Sequence, residues 1–159
     1  RCEELASDEA RVTDVCLNVI GAENEFDVMA CLYATSPLRQ AEDIKRVVNL
    51  VATGSADYAL AATRYDLPPH QALHIDESGY AQPQWPDLVS KRSSEIGDLV
   101  VDNGSTYAVN ISKFIQSKSF YGSPMRAHLM PRERSHDIDE PIDFDLAEFY
   151  AQKIAEKTA

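Results

Sequence analysis

The sequence predicts an α/β fold built on a partly parallel sheet. Three stretches carry that expectation. FDVMACLYA (26–34) is short and almost continuously apolar, AEDIKRVVNLVATG (41–54) has the pattern of an amphipathic helix, and ADYALAATRY (56–65) reads as a second strand. Strand, loop, helix and strand in that order make a βαβ unit. The 159 residues suffice for one domain with a sizeable core, or one domain with a small appendage.

The elements follow in order. Val12, Cys16, Val19 and Ile20 recur at helical spacing, with Thr13 as a cap and Gly21 as a stop. The run 26–34 suits a strand buried on both faces of a parallel sheet. It leads directly into TSPLR (35–39), at the strand end where open α/β sheets bind ligands. In the next helix Ile44, Val47, Val48 and Val51 share one stripe, and Gly54 ends it.

Residues 67–98 differ in texture. Four of the eight prolines fall within 67–86, and ESG (77–79) reads as a hairpin turn. Twenty structureless residues are uncommon in a compact domain, so this segment is expected to leave the sheet as a lid, a dimerisation arm or both. The chain then divides into a first α/β part (1–66), the excursion (67–98) and a last α/β part (99–159).

VVDNGSTYAVN (100–110) returns to a strand pattern around a turn at Asn103-Gly104. ISKFIQSKSFYG reads as a short helix ending near Gly122, and RAHLMP (126–131) as a short strand. A final helix starts at Pro141, with Ile142, Leu146, Phe149, Tyr150 and Ile154 as its buried face. Asp143 and Asp145 in its first turn, and Lys153 and Lys157 near its end, match the helix dipole.

Composition narrows the function. A net charge of −11 repels nucleic acid and anionic lipid, so neither is an expected partner. No apolar run approaches membrane-spanning length and no signal-peptide pattern opens the chain. Cys16 and Cys31 read as reduced core residues of a cytoplasmic protein. The four histidines lack zinc-helix spacing, and neither GxSxG nor a P-loop is present.

The densest chemistry lies in SHDIDEPIDFDLAEFY (135–150). If HDID is extended, Asp137 and Asp139 face the same way, about 7 Å apart, and Ile138 points into the core. Two such carboxylates suit Mg²⁺, which takes one or two protein carboxylates and completes its shell with water and phosphates. An N-cap role for Asp139 explains its position equally well. Arg39, Arg92 and Arg126 could offset an anionic substrate, whereas Arg132 and Arg134 read better as surface residues.

Several segments together resemble the acylneuraminate cytidylyltransferases, the CMP-sialic acid synthetases. RCEELASD (1–8) is similar to that family's R-P-x-E-L-A-x-D, LYATSPLR (32–39) to its L-Q-P-T-S-P-L-R, DNGSTY (102–107) to its N-G-x-x-Y, and HDIDEPIDFDLAE (136–148) to its D-I-D-x-x-x-D-x-x-x-A-E. The four occur in the family's order across nearly the whole chain.

The resemblance implies a Rossmann-like three-layer nucleotidyltransferase fold with a mixed sheet and a small dimerisation arm. It implies joining of a nine-carbon 2-keto sugar acid to CTP, with Mg²⁺ and a homodimer. Asp139 would be the direct metal ligand and Asp137 its support; Arg1, Ser7 and Asp8 would lie near the nucleotide. Thr35, Ser36 and Arg39 would shape the sugar site, and Tyr107 with Asn103 beside it would contact the sugar acid. Phe120 and Tyr121 match an aromatic pair around the acyl group, and Arg92 an arginine lent by the partner subunit.

Departures from the family pattern are informative. Tyr33-Ala34 stands where the family has Gln-Pro, the Gln being a sugar contact, and is similar to the branch acting on pseudaminic or legionaminic acid. Gln71 replaces a frequent basic arm residue, and Cys2 a proline. The family's opening strand and Gly-rich loop are not matched, so this stretch alone is expected not to turn over. A nucleotidyltransferase for another acid, such as 3-deoxy-manno-octulosonate, and a silent sugar- or partner-binding relative are the competing expectations.

Overall fold

The computed structural model describes residues 3–7, 9–22 and 25–158. Six strands and five α-helices are described: α1 (Val12–Ala22), β1 (Val28–Leu32), α2 (Ala41–Ala52), β2 (Tyr58–Arg64), β3 (Leu73–Ile75), β4 (Ala81–Pro83), α3 (Ser93–Ile96), β5 (Val100–Asn110), α4 (Ile111–Ser117), β6 (Met125–Leu129) and α5 (Pro141–Thr158). The main sheet has the order β1-β5-β2-β6. β5 is antiparallel to both neighbours, and β2 and β6 are parallel, so the sheet is mixed.

Strand alternation builds three layers. Tyr58, Leu60 and Ala62 of β2 and Tyr107 and Val109 of β5 pack with Cys16 and Ile20 of α1, Phe114 of α4 and Phe120. On the opposite face Ala59, Ala61 and Ala108 pack with Val47 and Val51 of α2 and with Met130. Small side chains on that second face let α2 approach the sheet closely. The α2 stripe, including its stop at Gly54 (φ +74°), is as the spacing predicts.

Four expectations are corrected. The run 26–34 does not lie between parallel strands: β1 pairs antiparallel with β5, and its other edge meets no strand among the described residues, leaving Leu32 exposed. Nor is the run covered on both faces, since β1 has no fully buried residue and Ala30 is exposed with Leu32; it is an edge strand of the described sheet. α1 continues through Gly21 and leaves Val19 exposed, although Cys16 and Ile20 are buried as read. α4 stops at Ser117, on Lys118 in the left-handed region (φ 50°), before Gly122.

α5 starts at Pro141 as predicted but buries a different face. Ala147 is buried, Tyr150 and Ile154 are half-buried, and Ile142, Leu146 and Phe149 are exposed. The helix leans on the 3-10 turn Arg132–Arg134, with Lys157 ion-paired to Glu133 at 3.4 Å, rather than lying flat on the sheet.

Residues 67–98 do leave the sheet. β3 and β4 form a separate two-stranded hairpin around the predicted turn, where Asp76 accepts from the amides of Ser78 (2.9 Å) and Tyr80 (3.0 Å). His70, 3% exposed, ties the base of the excursion together through Nε2 and the Lys91 carbonyl, 3.1 Å away. Leu73, Ile75, Tyr80 and Trp85 are all exposed.

Phe114 is fully buried whereas Ile115 beside it is half-exposed. Phe114→Ala should therefore cost about 3–5 kcal/mol, and Ile115→Ala no more than about 0.5 kcal/mol, in urea denaturation.

Candidate functional site

The site is organised by an irregularity in β5. Leu60 pairs with Tyr107 and Ala62 with Asp102, so Asn103–Thr106 stand opposite the single residue Ala61. The sequence suggests a turn at Asn103-Gly104; the structure makes a bulge inside one continuous strand. Two acceptor side chains shape it. Asp102 Oδ1 accepts from the Gly104 amide (3.0 Å), and Asn103 Oδ1 accepts from the Ser105 amide (3.2 Å) and hydroxyl (2.8 Å). Gly104 takes φ +68°, a conformation that disfavours other residues.

The TSPLR loop docks on this bulge. The Ser105 carbonyl accepts from the Tyr33 amide (3.2 Å) and from Arg39 Nη1 (3.0 Å), and Nη1 also donates to the Tyr33 carbonyl. Nη2 and Nε of Arg39 have no protein partner among the described residues. HDID then lies against the same loop: the Ile138 amide donates to the Thr35 carbonyl at 2.9 Å. The fully buried Ser36 hydroxyl donates to Asp137 Oδ1 at 3.5 Å. A Cβ on Gly104 would stand 3.0 Å from Asp137 Oδ2, so the carboxylate rests directly on the glycine. Three segments far apart in sequence thus meet at the carboxyl end of β1.

An aromatic layer adjoins this junction. Tyr107 lies between Tyr33 and Phe120, with ring centroids at 5.3 and 4.9 Å. Its hydroxyl donates to Asp102 Oδ2 at 2.8 Å, and the half-exposed Tyr121 donates to the same oxygen. Burial and then the Asp102 carboxylate push the Tyr107 phenol well above its ordinary value, while hydrogen bonding to Asp102 pushes Tyr121 up to about 12. Asn103 is buried, and its amide is engaged by Ser105, Ser135 and Met130.

The carboxylates differ in how far protein donors satisfy them. Asp143 accepts from the amides of Asp139 (3.1 Å) and Glu140 (2.8 Å), which hold it below the ordinary aspartate range and give it a capping role. Asp137 has the one long contact from Ser36. The exposed Asp139 carboxylate accepts no hydrogen bond among the described residues, so the capping role considered for it falls to Asp143. Asp137 and Asp139 offer hard oxygen donors with spare capacity, which fits a Mg²⁺ ion that draws most of its shell from water and phosphate. Among the described residues no group of three or more His, Cys, Asp or Glu forms a cage for a metal.

The remaining predicted residues stand further out. Thr35 is exposed within the loop. Arg92 is exposed at the start of α3, and no contact joins its side chain to the junction among the described residues. Ser7 is exposed, its hydroxyl donating to the Glu4 carbonyl at 3.0 Å; Arg1 and Asp8 lie outside the described residues.

One network escaped the sequence reading. Asp43, 2% exposed, accepts from the Gln40 amide (2.9 Å), Arg134 Nη2 (2.7 Å) and His128 Nε2 (3.1 Å). Burial alone would raise its carboxyl; the Gln40 amide, His128 and Arg134 together outweigh that and hold it below the ordinary range. Arg134 is therefore not a surface residue as expected, while Arg132 is, paired with Asp66 at 2.7 Å. The legible signal was position: Asp43 lies one turn before Val47 and two before Val51 on the buried stripe. This network ties the start of α2, just after TSPLR, to the segment that enters HDID.

No protein-family model matches the chain. Similarity to characterised proteins nevertheless runs along nearly all of it. It is 31% identical over 157 residues to the CMP-N,N'-diacetyllegionaminic acid synthase of Legionella pneumophila, covering 93% of this chain and 66% of that protein. It is 28% identical over 157 residues to the N-acylneuraminate cytidylyltransferase of Escherichia coli, covering 96% of this chain and 36% of that protein. Against the pseudaminic acid cytidylyltransferase of Campylobacter jejuni the identity is 23% over 151 residues, covering 92% and 65%. The chain belongs to the acylneuraminate cytidylyltransferase family. It spans about a third of the length of the Escherichia coli relative and about two thirds of the Legionella and Campylobacter ones.

Two measurements test the junction. Gly104→Ala should destabilise the fold by about 1–2 kcal/mol from backbone strain plus the cost of displacing Asp137. Gly54→Ala, also at positive φ but with nothing within 4 Å, should show the backbone cost alone. Asp43→Ala should cost about 3–5 kcal/mol at neutral pH. Because the folded carboxyl is depressed, that contribution is complete above the unfolded value and is lost as pH falls through the folded one, so the gap from wild type should narrow below about pH 4.

Proposed function

We propose that this chain is the acceptor- and metal-binding part of a cytoplasmic cytidylyltransferase that activates a nine-carbon 2-keto sugar acid with CTP. The anomeric hydroxyl oxygen bonds to the α-phosphorus, and the bond to the departing pyrophosphate breaks, giving CMP-sugar. The observation that carries this reading is the junction itself. The Ser36–Asp137 contact and the seat of Asp137 on Gly104 bring TSPLR, DNGSTY and HDID, three of the four family-like segments, to one place.

Each residue has a physical task. Asp139 and Asp137 would hold Mg²⁺, which when bound neutralises phosphate charge and lowers the pKa of a coordinated hydroxyl. Ser36 and Gly104 orient Asp137. Arg39 stiffens the loop through two carbonyls and keeps donors available for an anionic group. Tyr33, Tyr107, Phe120 and Tyr121 form the aromatic side of the acceptor site, with Thr35 at its rim and Asn103 supporting the bulge. Arg1, Ser7 and Asp8 are assigned to the nucleotide by family resemblance. A transfer of this kind depends on positioning and charge neutralisation more than on a covalent nucleophile.

Tyr33 in place of the family's Gln, together with the similarity to the legionaminic and pseudaminic enzymes, favours a bacterial sialic-acid analogue as acceptor. The hairpin's exposed Leu73, Ile75, Tyr80 and Trp85 support a homodimer formed through this arm, which would also present Arg92 to the partner's site.

In the intact natural protein, Asp139→Asn and Asp137→Asn should each lower pyrophosphate release by about 10²-fold or more without altering circular dichroism. EDTA should abolish release and Mg²⁺ restore it. No release from wild type with CTP, Mg²⁺ and any nonulosonic acid would overturn the assignment.

A further inference from the structure

Asp102 is not among the residues that family resemblance brings to the site, yet it holds more of the aromatic wall than any of them. One of its oxygens accepts two phenols, Tyr107 at 2.8 Å and Tyr121, and the other accepts the Gly104 amide at 3.0 Å. Only an acceptor without hydrogens can take all three donors; an amide in its place would set a donor against one of them.

The two tyrosines differ in what else holds them. Tyr107 is buried between two rings. Tyr121 is 55% exposed on the segment after α4, and its hydroxyl is held by Asp102, with the Tyr107 hydroxyl beside it on the same carboxylate oxygen. The backbone beside it packs closely on the Tyr58 ring, which a Cβ on Gly122 would strike. Asp102 therefore decides where the Tyr121 ring stands relative to Tyr107, Phe120 and Tyr33.

We propose that Asp102 is a positioning residue for acceptor recognition, clamping Tyr107 and Tyr121 into one rigid wall against which the acyl-bearing side of the sugar acid packs. The proposal rests on the cytidylyltransferase reading above. Three donors point their positive ends at the carboxylate, so the wall repels an anionic acceptor less than a bare aspartate would. The elevated phenols stay protonated, and so remain donors, at any physiological pH.

The test is steady-state kinetics of the intact natural protein with CTP and its best nonulosonic acid. Asp102→Ala should raise KM for the sugar acid about tenfold and leave KM for CTP within about twofold. Tyr121→Phe, at an exposed position and with the Tyr107 and Gly104 bonds of Asp102 left in place, should give part of that rise, with KM for CTP again unchanged. The double substitution should cost less than the sum of the two single ones, since both remove the Tyr121–Asp102 bond.

A phenol titration at 295 nm needs no turnover. Asp102→Asn should move the Tyr121 ionisation from about 12 towards the ordinary value near 10, and that ionisation, identified by its loss in Tyr121→Phe, should be missing from Asp102→Asn/Tyr121→Phe. Unchanged sugar-acid KM in an active enzyme, additive effects of the two substitutions, or an unmoved titration would overturn the clamp. Equal losses for CTP and sugar acid would reduce Asp102 to a general structural role and also overturn it. Failure of wild type with every acid would instead overturn the parent reading, and acceptor recognition with it, whatever the titration shows.

Discussion

The bulge in β5 is the constraint on which the site depends. A regular strand pairing Ala61 with one residue would keep Asn103–Ser105 in the plane of the sheet, where Thr106 stays through its pairing with Leu32. Extruding them instead turns the Ser105 carbonyl toward the TSPLR loop and places a bare glycine under Asp137. The bulge is stabilised locally, by two successive side-chain acceptors each capping an amide two residues on. It costs ladder hydrogen bonds on one strand and supplies a dock for two segments remote in sequence.

Around that dock, saturation separates structural acids from available ones. Asp43 and Asp102 each take three donors, and Asp143 takes two. Asp137 takes one long contact, and Asp139 none among the described residues. In a chain of net charge −11, acid content alone identifies nothing. What sets Asp137 apart is its place, seated on Gly104 where three segments meet and with acceptor capacity that protein donors do not fill.

The Asp43 network gives the dock its rigidity from the other side. Aspartate, histidine and arginine are buried together at the start of α2, so the chain leaving TSPLR and the chain entering HDID share one set of charge-assisted bonds. Such a network is costly to break and poor as a source of net stability, which suits an element whose task is register. Tight packing of α2 on Ala59, Ala61 and Ala108 sets the distance at which it can form.

Much was legible in the sequence because it depends on local periodicity and local chemistry. The α2 stripe, the β2 and β6 strands, the hairpin excursion and the Pro141 helix start all follow from spacing of apolar residues and from turn formers. The family-like segments at 32–39, 102–107 and 136–148 were visible as motifs, and Asp143 as a helix-start acid. What only the tertiary structure decided is what depends on partners distant in the chain. Strand direction beside β1, the exposed face of α5, the burial of Asp43 with His128 and Arg134, and the joining of Tyr107 to Tyr121 by Asp102 all belong there. A residue's own spacing says which others share its face; whether that face is covered, and which donor or strand meets it, is fixed by chain closure over tens of residues, and no local pattern encodes that.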